Sequence, residues 1–224
     1  EVGGTSTDIS CIHDGRIRFR PASVGGHRLQ AETLDLRTIA LGGGSLLALD
    51  KAGKLTLSAR SAHIAGLGYL SFAPKHHLEH GGLEFHAAEG RKMAPIVWTS
   101  QGTDYGFTLT DLANALGKIP QDDAAFCAAD KLQNAFSELT KFMNIPLGKM
   151  AEQIGDQIER MTAPIIAEYA RAFKVERGLV RLVGGGGGVN SALPFISERA
   201  KLPYDTVAHY PYISAAGAAI AAET

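Results

Sequence analysis

Residues 182–191 read LVGGGGGVNS: a short apolar strand signal, five consecutive glycines, and then Asn190 and Ser191, either of which can cap a following helix. A strand, a glycine loop and a helix in that order bring bare backbone and the positive end of a helix dipole to one place, an arrangement suited to a nucleotide. Five glycines between two ordered elements carry a large cost in backbone entropy. Close approach of a ligand is the compensation the residues point to, with a flexible link as the plainer reading. The same order occurs in dinucleotide folds. There, however, the fingerprint sits early in the chain with an acidic residue after the next strand, which does not fit here.

A second glycine segment lies at the other end. Residues 1–10, EVGGTSTDIS, place Gly3 and Gly4 in a tight turn between two strand signals. Such a turn lets N–H groups approach an anion with no Cβ in the way. Thr5, Ser6 and Thr7 add hydroxyl donors, and Asp8 can hold a magnesium ion directly or through water. No GK[ST] follows, so the segment is not a P-loop, and a polar hairpin turn would have the same composition.

Between these ends the chain runs from strands to helices. Ile9, Cys11, Ile17 and Phe19 alternate with polar residues around Asp14-Gly15, a strong hairpin signal. Ile39 and Leu41 lead into Gly42, Gly43 and Gly44, followed by apolar residues 46–49, a turn at 51–53 and a strand at 55–57. Residues 61–106 show the least periodicity and read as an irregular insertion, in which Trp98 is uninformative. A helical section covers about 107–175. Thr110 is expected to cap a short helix ended by Gly117, and Asp122 and Asp123 to start a second that runs to about Phe142. A long third helix after Pro146 carries Leu147, Met150, Ile154, Ile158, Met161, Ile165 and Tyr169 at three- and four-residue steps. The closing helix, ISAAGAAIAAE, reads as a close-packing element. Strands, then helices, then a β–loop–α unit suit an α/β domain with a mixed sheet and flanking helices.

Bulk composition narrows the function classes. The chain of 224 residues is 45% hydrophobic and 20% charged, with a net charge of -1. It has no basic excess of the kind a nucleic-acid binder needs. No apolar run approaches membrane-spanning length. Cys11 and Cys127 are far apart and form no CxxC, so a reducing cytoplasm is the expected compartment. His76, His77, His80 and His86 fall close together, but adjacent histidines point apart and no helix signal surrounds them. A solvated insertion is the preferred reading over a metal site.

Taken together, a hairpin phosphate turn and a later strand–glycine–helix unit resemble one lobe of the actin, hexokinase and heat-shock chaperone ATPase superfamily. The blocks EVGGTSTDIS, LDLRTIALGGGSLLALDKAGKL, GFTLTDLANALGKI and VGGGGGVNSALPFISERAKLPY occur in the order found in the second half of the large subunit of the hydantoinase/oxoprolinase family, and the resemblance covers nearly the whole of this chain. The resemblance implies an RNase H-like, actin/hexokinase-type ATPase lobe. It also implies an ATP-dependent amidohydrolase that phosphorylates the carbonyl oxygen of a cyclic amide or imide, of the hydantoin or 5-oxoproline kind, before water opens the ring. Acetone and acetophenone carboxylases use similar activation.

On this resemblance Gly3, Gly4, Thr5, Ser6 and Thr7 cradle phosphate. Gly43, Gly44, Gly185, Gly186 and Gly187 contact the nucleotide. Asp8 serves as catalytic and metal residue for Mg2+ or another divalent ion, and Asp111 is a second catalytic candidate, with a helix first-turn role as the better reading. The expected partners are a small cyclic amide, a missing N-terminal lobe and a second, B-type subunit. The chain is thus expected to be the nucleotide-facing lobe of a longer subunit and inactive by itself. It departs from the family pattern at Glu1 in place of aspartate, at Arg37 in place of histidine, and at SAHIAGLGYLSF in place of a proline–glycine–proline loop. These departures favour, as the competing reading, a non-catalytic nucleotide-binding or assembly module. A small-molecule kinase of the superfamily is a third, disfavoured by the TLTDLANALG block.

Overall fold

The computed structural model describes residues 1–25, 27–85 and 93–221. The amino-terminal turn joins Val2, bridged to Thr7, to strand β1 (Thr7–Ile9). Asp14 and Gly15 both adopt positive φ, 49° and 72°, in the tight turn expected between β2 (Ile12–His13) and β3 (Arg16–Ile17). Two longer strands, β4 (Phe19–Val24) and β5 (His27–Leu34), pair into an exposed antiparallel ribbon. The chain then returns along β1 as β6 (Arg37–Ile39), in register Asp8 to Thr38.

The largest sheet begins with β7 (Ser45–Asp50) and β8 (Leu55–Ser61) around the expected turn. Residues 61–106, expected to be irregular, instead supply most of the remainder. They form helix α1 (Ala62–Ala65), β9 (Gly68–Tyr69), helix α2 (Lys75–Glu79), β10 (Gly82–Phe85), β11 (Met93–Ser100) and β12 (Thr103–Gly106). The strand order is β8-β7-β11-β12-β9, with β10 also on β11. Only the β12–β9 pairing is parallel within this six-stranded mixed sheet. The strand went unread because β11 is engaged on both sides: Ile96, Val97 and Trp98 are all fully buried, so the period-two alternation disappears. Trp98 lies in the core, with its indole N–H on the His77 carbonyl.

Helix α3 (Leu109–Ala115) is capped by Thr108 rather than Thr110, and Gly117 ends the turn with φ 66° as expected. Helix α4 (Ala129–Met143) starts later than Asp122 and Asp123 suggest, because Asp123 is buried and bonded elsewhere. Helix α5 (Leu147–Ala172) follows the predicted stripe, with Met150, Ile154 and Ile158 fully buried. These helices and α6 (Val189–Ala200) pack beside the sheet around one core, where Phe107 meets Phe136 edge-on at 5.3 Å. Strands β13 (Leu182–Gly184) and β14 (Tyr204–Thr206) run parallel on either side of α6 in sequence. The last helix, α7 (Ile213–Ala221), is not the close-packed element expected: residues 213–220 are exposed, Ile220 to 68%. No described helix is long and apolar enough to cross a membrane.

Candidate functional site

Three glycine segments, more than a hundred residues apart at their extremes, meet edge to edge. The Val2 amide donates to the Gly185 carbonyl at 2.8 Å, and the Gly188 amide donates to the Val2 carbonyl at 2.9 Å. On the other side of the turn, Gly43 N–H donates to Gly3 O (3.0 Å) and Gly44 N–H to Gly4 O (2.8 Å). Both ends of the chain and the central GGGS loop therefore form one continuous backbone surface, as expected of the two terminal segments.

Glycine is required where these loops cross. A Cβ on Gly42 would fall 2.6 Å from Gly4 C and Thr5 N, and one on Gly43 would fall 2.8 Å from Thr110 Oγ1. Gly44, Gly186 and Gly188 would likewise strike Tyr69, Val2 and Gly3. Gly186 also needs its φ of 94°. Most of the glycine run is thus explained by chain packing on chain. Gly187 is the exception: it is exposed, and a Cβ there would meet nothing within 4 Å.

The turn is fixed from behind. Gly3 N–H closes it on Ser6 O at 2.9 Å, and the buried Thr7 hydroxyl donates to Leu41 O at 2.5 Å. The Thr5 hydroxyl pairs with that of Ser61, the residue that caps α1. Among the described residues, no acceptor takes the amides of Gly4, Thr5 and Ser6. Three adjacent unclaimed N–H groups in a glycine turn leave backbone donors available to an anion, which is what a phosphate group would require of these residues. By contrast, the Gly43, Gly44, Gly186 and Gly188 amides are already bonded to backbone carbonyls.

Asp8 lies on β1 beside this turn and accepts the Thr38 hydroxyl at 2.5 Å on Oδ1. No group of three or more His, Cys, Asp or Glu residues able to hold a metal occurs among the described residues. A magnesium ion here would fit only as one carried by phosphate and water, with Asp8 as a single carboxylate ligand. Glu1 accepts the Ser214 hydroxyl, which joins the start of the turn to α7. Arg37 bridges buried Asp35 at 2.8 Å and Glu168 at 2.5 Å. The histidines do not converge on a site: His77 Nδ1 bonds the Tyr105 hydroxyl and His80 Nδ1 bonds the His76 carbonyl. His86 lies outside the described residues.

Asp111 is fully buried and faces four donors. Oδ1 accepts Ser71 N–H (2.7 Å) and Oγ–H (2.6 Å), while Oδ2 accepts Thr108 N–H (2.8 Å) and Oγ1–H (2.6 Å). With Thr108 it makes a capping box at the start of α3. Burial pushes its carboxyl up from the ordinary range, against the pull of these hydrogen bonds. The next residue towards the amino end, Thr110, reaches Gly43 O at 2.9 Å and Ser191 Oγ at 2.7 Å.

Sequence reasoning missed the support beneath the second glycine loop. Asp123 Oδ2 accepts Asn190 Nδ2 at 2.6 Å and the Tyr210 hydroxyl at 2.8 Å, and Tyr210 O accepts the Gly186 amide at 2.6 Å. Burial, followed by the hydrogen bond to Asp123, pushes the Tyr210 phenol up to about 12. Neither Asn190 nor Ser191 caps α6, whose cap is Gly188 with no side-chain bond. Asn190 turns to Asp123 and Ser191 to Thr110 on α3 instead. The signal available was their position beside the glycine run, which the capping reading absorbed.

Comparison with known proteins gives the chain's family. Residues 1–224 match the hydantoinase/oxoprolinase family (Hydantoinase_A) along the entire chain. The chain is 24% identical over 210 residues to the caprolactamase subunit alpha of Pseudomonas jessenii, covering 88% of this chain and 25% of that protein. It also shares a fold with acetone carboxylase, solved nucleotide-free in a study of ATP-dependent acetone carboxylation. The TM-score is 0.57 at 13% identity, over 90% of this chain and 25% of that one. The chain therefore spans about a quarter of the length of each of these proteins. It belongs to the hydantoinase/oxoprolinase family.

Proposed function

We propose that this chain is the nucleotide-facing, actin/hexokinase-type lobe of an ATP-dependent enzyme that opens cyclic amides, of the hydantoin, 5-oxoproline or lactam kind. The observation that carries this reading is the junction of the three glycine segments, with the free Gly4, Thr5 and Ser6 amides at its centre and the open Gly187 at its edge. When bound, ATP would supply phosphorylation of the ring carbonyl oxygen, which water can then hydrolyse. The chain's own part is electrostatic. The three amides hold phosphoryl oxygens as donors fixed in advance, so little reorganisation is needed as charge develops. Gly3 and Thr7 hold the turn closed, and Asp8, oriented by Thr38, would hold a magnesium ion or its water.

Gly187 lies along the nucleoside, while Gly43, Gly44, Gly185 and Gly186 support the two loops. Asp111 is a positioning residue that acts through Thr108 and Ser71. A second lobe and a second subunit would complete the enzyme, in keeping with the subunit name of the caprolactamase relative. A related ATP-dependent carboxylase is the second reading, favoured by the shared fold with acetone carboxylase. The test is ATP hydrolysis by the full natural chain with its subunit partner, with hydantoin, 5-oxoproline, caprolactam, or acetone plus bicarbonate added in turn. Stimulation by a ring amide supports the amidohydrolase, and stimulation only by acetone with bicarbonate supports the carboxylase. ATP binding without turnover in any of them would replace both with a non-catalytic module.

A further inference from the structure

Tyr69 stands against Gly4 and Gly44, on the side of the glycine surface that the Gly186 and Gly188 contacts do not reach. Its hydroxyl oxygen lies 3.6 Å from where a Cβ on Gly4 would be, and it occupies the space a Cβ on Gly44 would need. The Gly186 and Gly188 loop, by contrast, touches Val2 and Gly3. Along the turn the order is therefore Gly187 loop, Gly3, Gly4 and Gly44, then Tyr69. A nucleoside lying at Gly187, with its phosphates over the Gly4, Thr5 and Ser6 amides, points its outermost phosphoryl group toward this phenol.

The ring is held firmly while the hydroxyl is not. Tyr69 pairs with Gly106 in the sheet and packs against Phe72 at 5.5 Å. Two residues on, Ser71 is clamped by Asp111, the carboxylate that also caps the helix whose Thr110 grips Gly43. One buried group thus sets both the tyrosine segment and the loop it faces. Among the described residues no group takes a hydrogen bond from the Tyr69 hydroxyl. Burial, and then the charge of Asp111, raise the phenol above its ordinary value, so it remains a donor at neutral pH.

We propose that the Tyr69 hydroxyl donates a hydrogen bond to the terminal phosphoryl group of a bound nucleoside triphosphate. This rests on the nucleotide reading above. The test is calorimetric titration of the full natural chain with MgATP and with MgADP, together with thermal melts. Tyr69→Phe is expected to melt like the parent, to bind ATP roughly 10- to 100-fold more weakly, and to keep its ADP affinity within about twofold. Ser71→Ala, which loosens the segment but keeps the hydroxyl, is expected to lower the melting temperature and leave the preference for ATP over ADP intact. Equal ATP affinity in Tyr69→Phe and parent, an equal loss for ATP and ADP, or the same selective loss in Ser71→Ala would each overturn the role of Tyr69 alone. A parent chain that binds neither nucleotide overturns both this role and the reading beneath it.

Discussion

A methyl group at Gly188 would press on the carbonyl of Gly3 and the amide of Gly43, whereas at Gly187 it would enter open space. These adjacent positions should therefore separate folding from binding. Gly188→Ala is expected to cost about 1–3 kcal/mol, a fall in melting temperature of roughly 2–10 °C at this size. Gly187→Ala should melt like the parent yet weaken ATP binding, and thermal melts beside calorimetry check both. Tyr210 gives a pH-dependent counterpart. Its folded phenol titrates near 12, above the ordinary value of about 10. The stability it adds is therefore complete below about pH 10 and is lost as pH rises toward 12. Melting curves between pH 9 and 12 should show this alkaline decline in the parent and a shallower one in Tyr210→Phe.

At the scale of elements, the start of α3 is where one helix end serves two neighbours. Thr108→Ala removes a cap and one of the four donors to buried Asp111, while the Thr108 backbone N–H remains. A loss of about 1–3 kcal/mol is expected, checked by denaturant titration. Much at this scale was legible in the sequence. Asp14-Gly15 specifies its turn because both positions need positive φ, and the α5 stripe is visible because one face alone is buried. Strand β11 was hidden since burial on both sides erases alternation, and the start of α4 was misplaced because Asp123 looks like a cap but serves Asn190 and Tyr210. In the site, the glycine segments announced themselves by composition. Tyr69 did not, because a single tyrosine in an aperiodic stretch acquires meaning only when β9 carries it to Gly4 and Gly44.

For the whole molecule, ligand binding should be visible as a shift in global unfolding. At a nucleotide concentration about 100 times the dissociation constant, the native state gains roughly 2.7 kcal/mol, so the melting temperature should rise by about 5–10 °C. Differential scanning fluorimetry with and without MgATP measures this, and no rise at saturating nucleotide would count against the proposed site. The bonds from Val2 to Gly185 and Gly188 also impose an order of events during synthesis. The ribosome makes the phosphate turn some 180 residues before one of its flanking walls. Closing so distant a contact is slow compared with local folding. A nascent chain stalled before that stretch should thus have this sheet and these long helices and still be blind to nucleotide here, so that recognition waits on residues made long after the turn they complete.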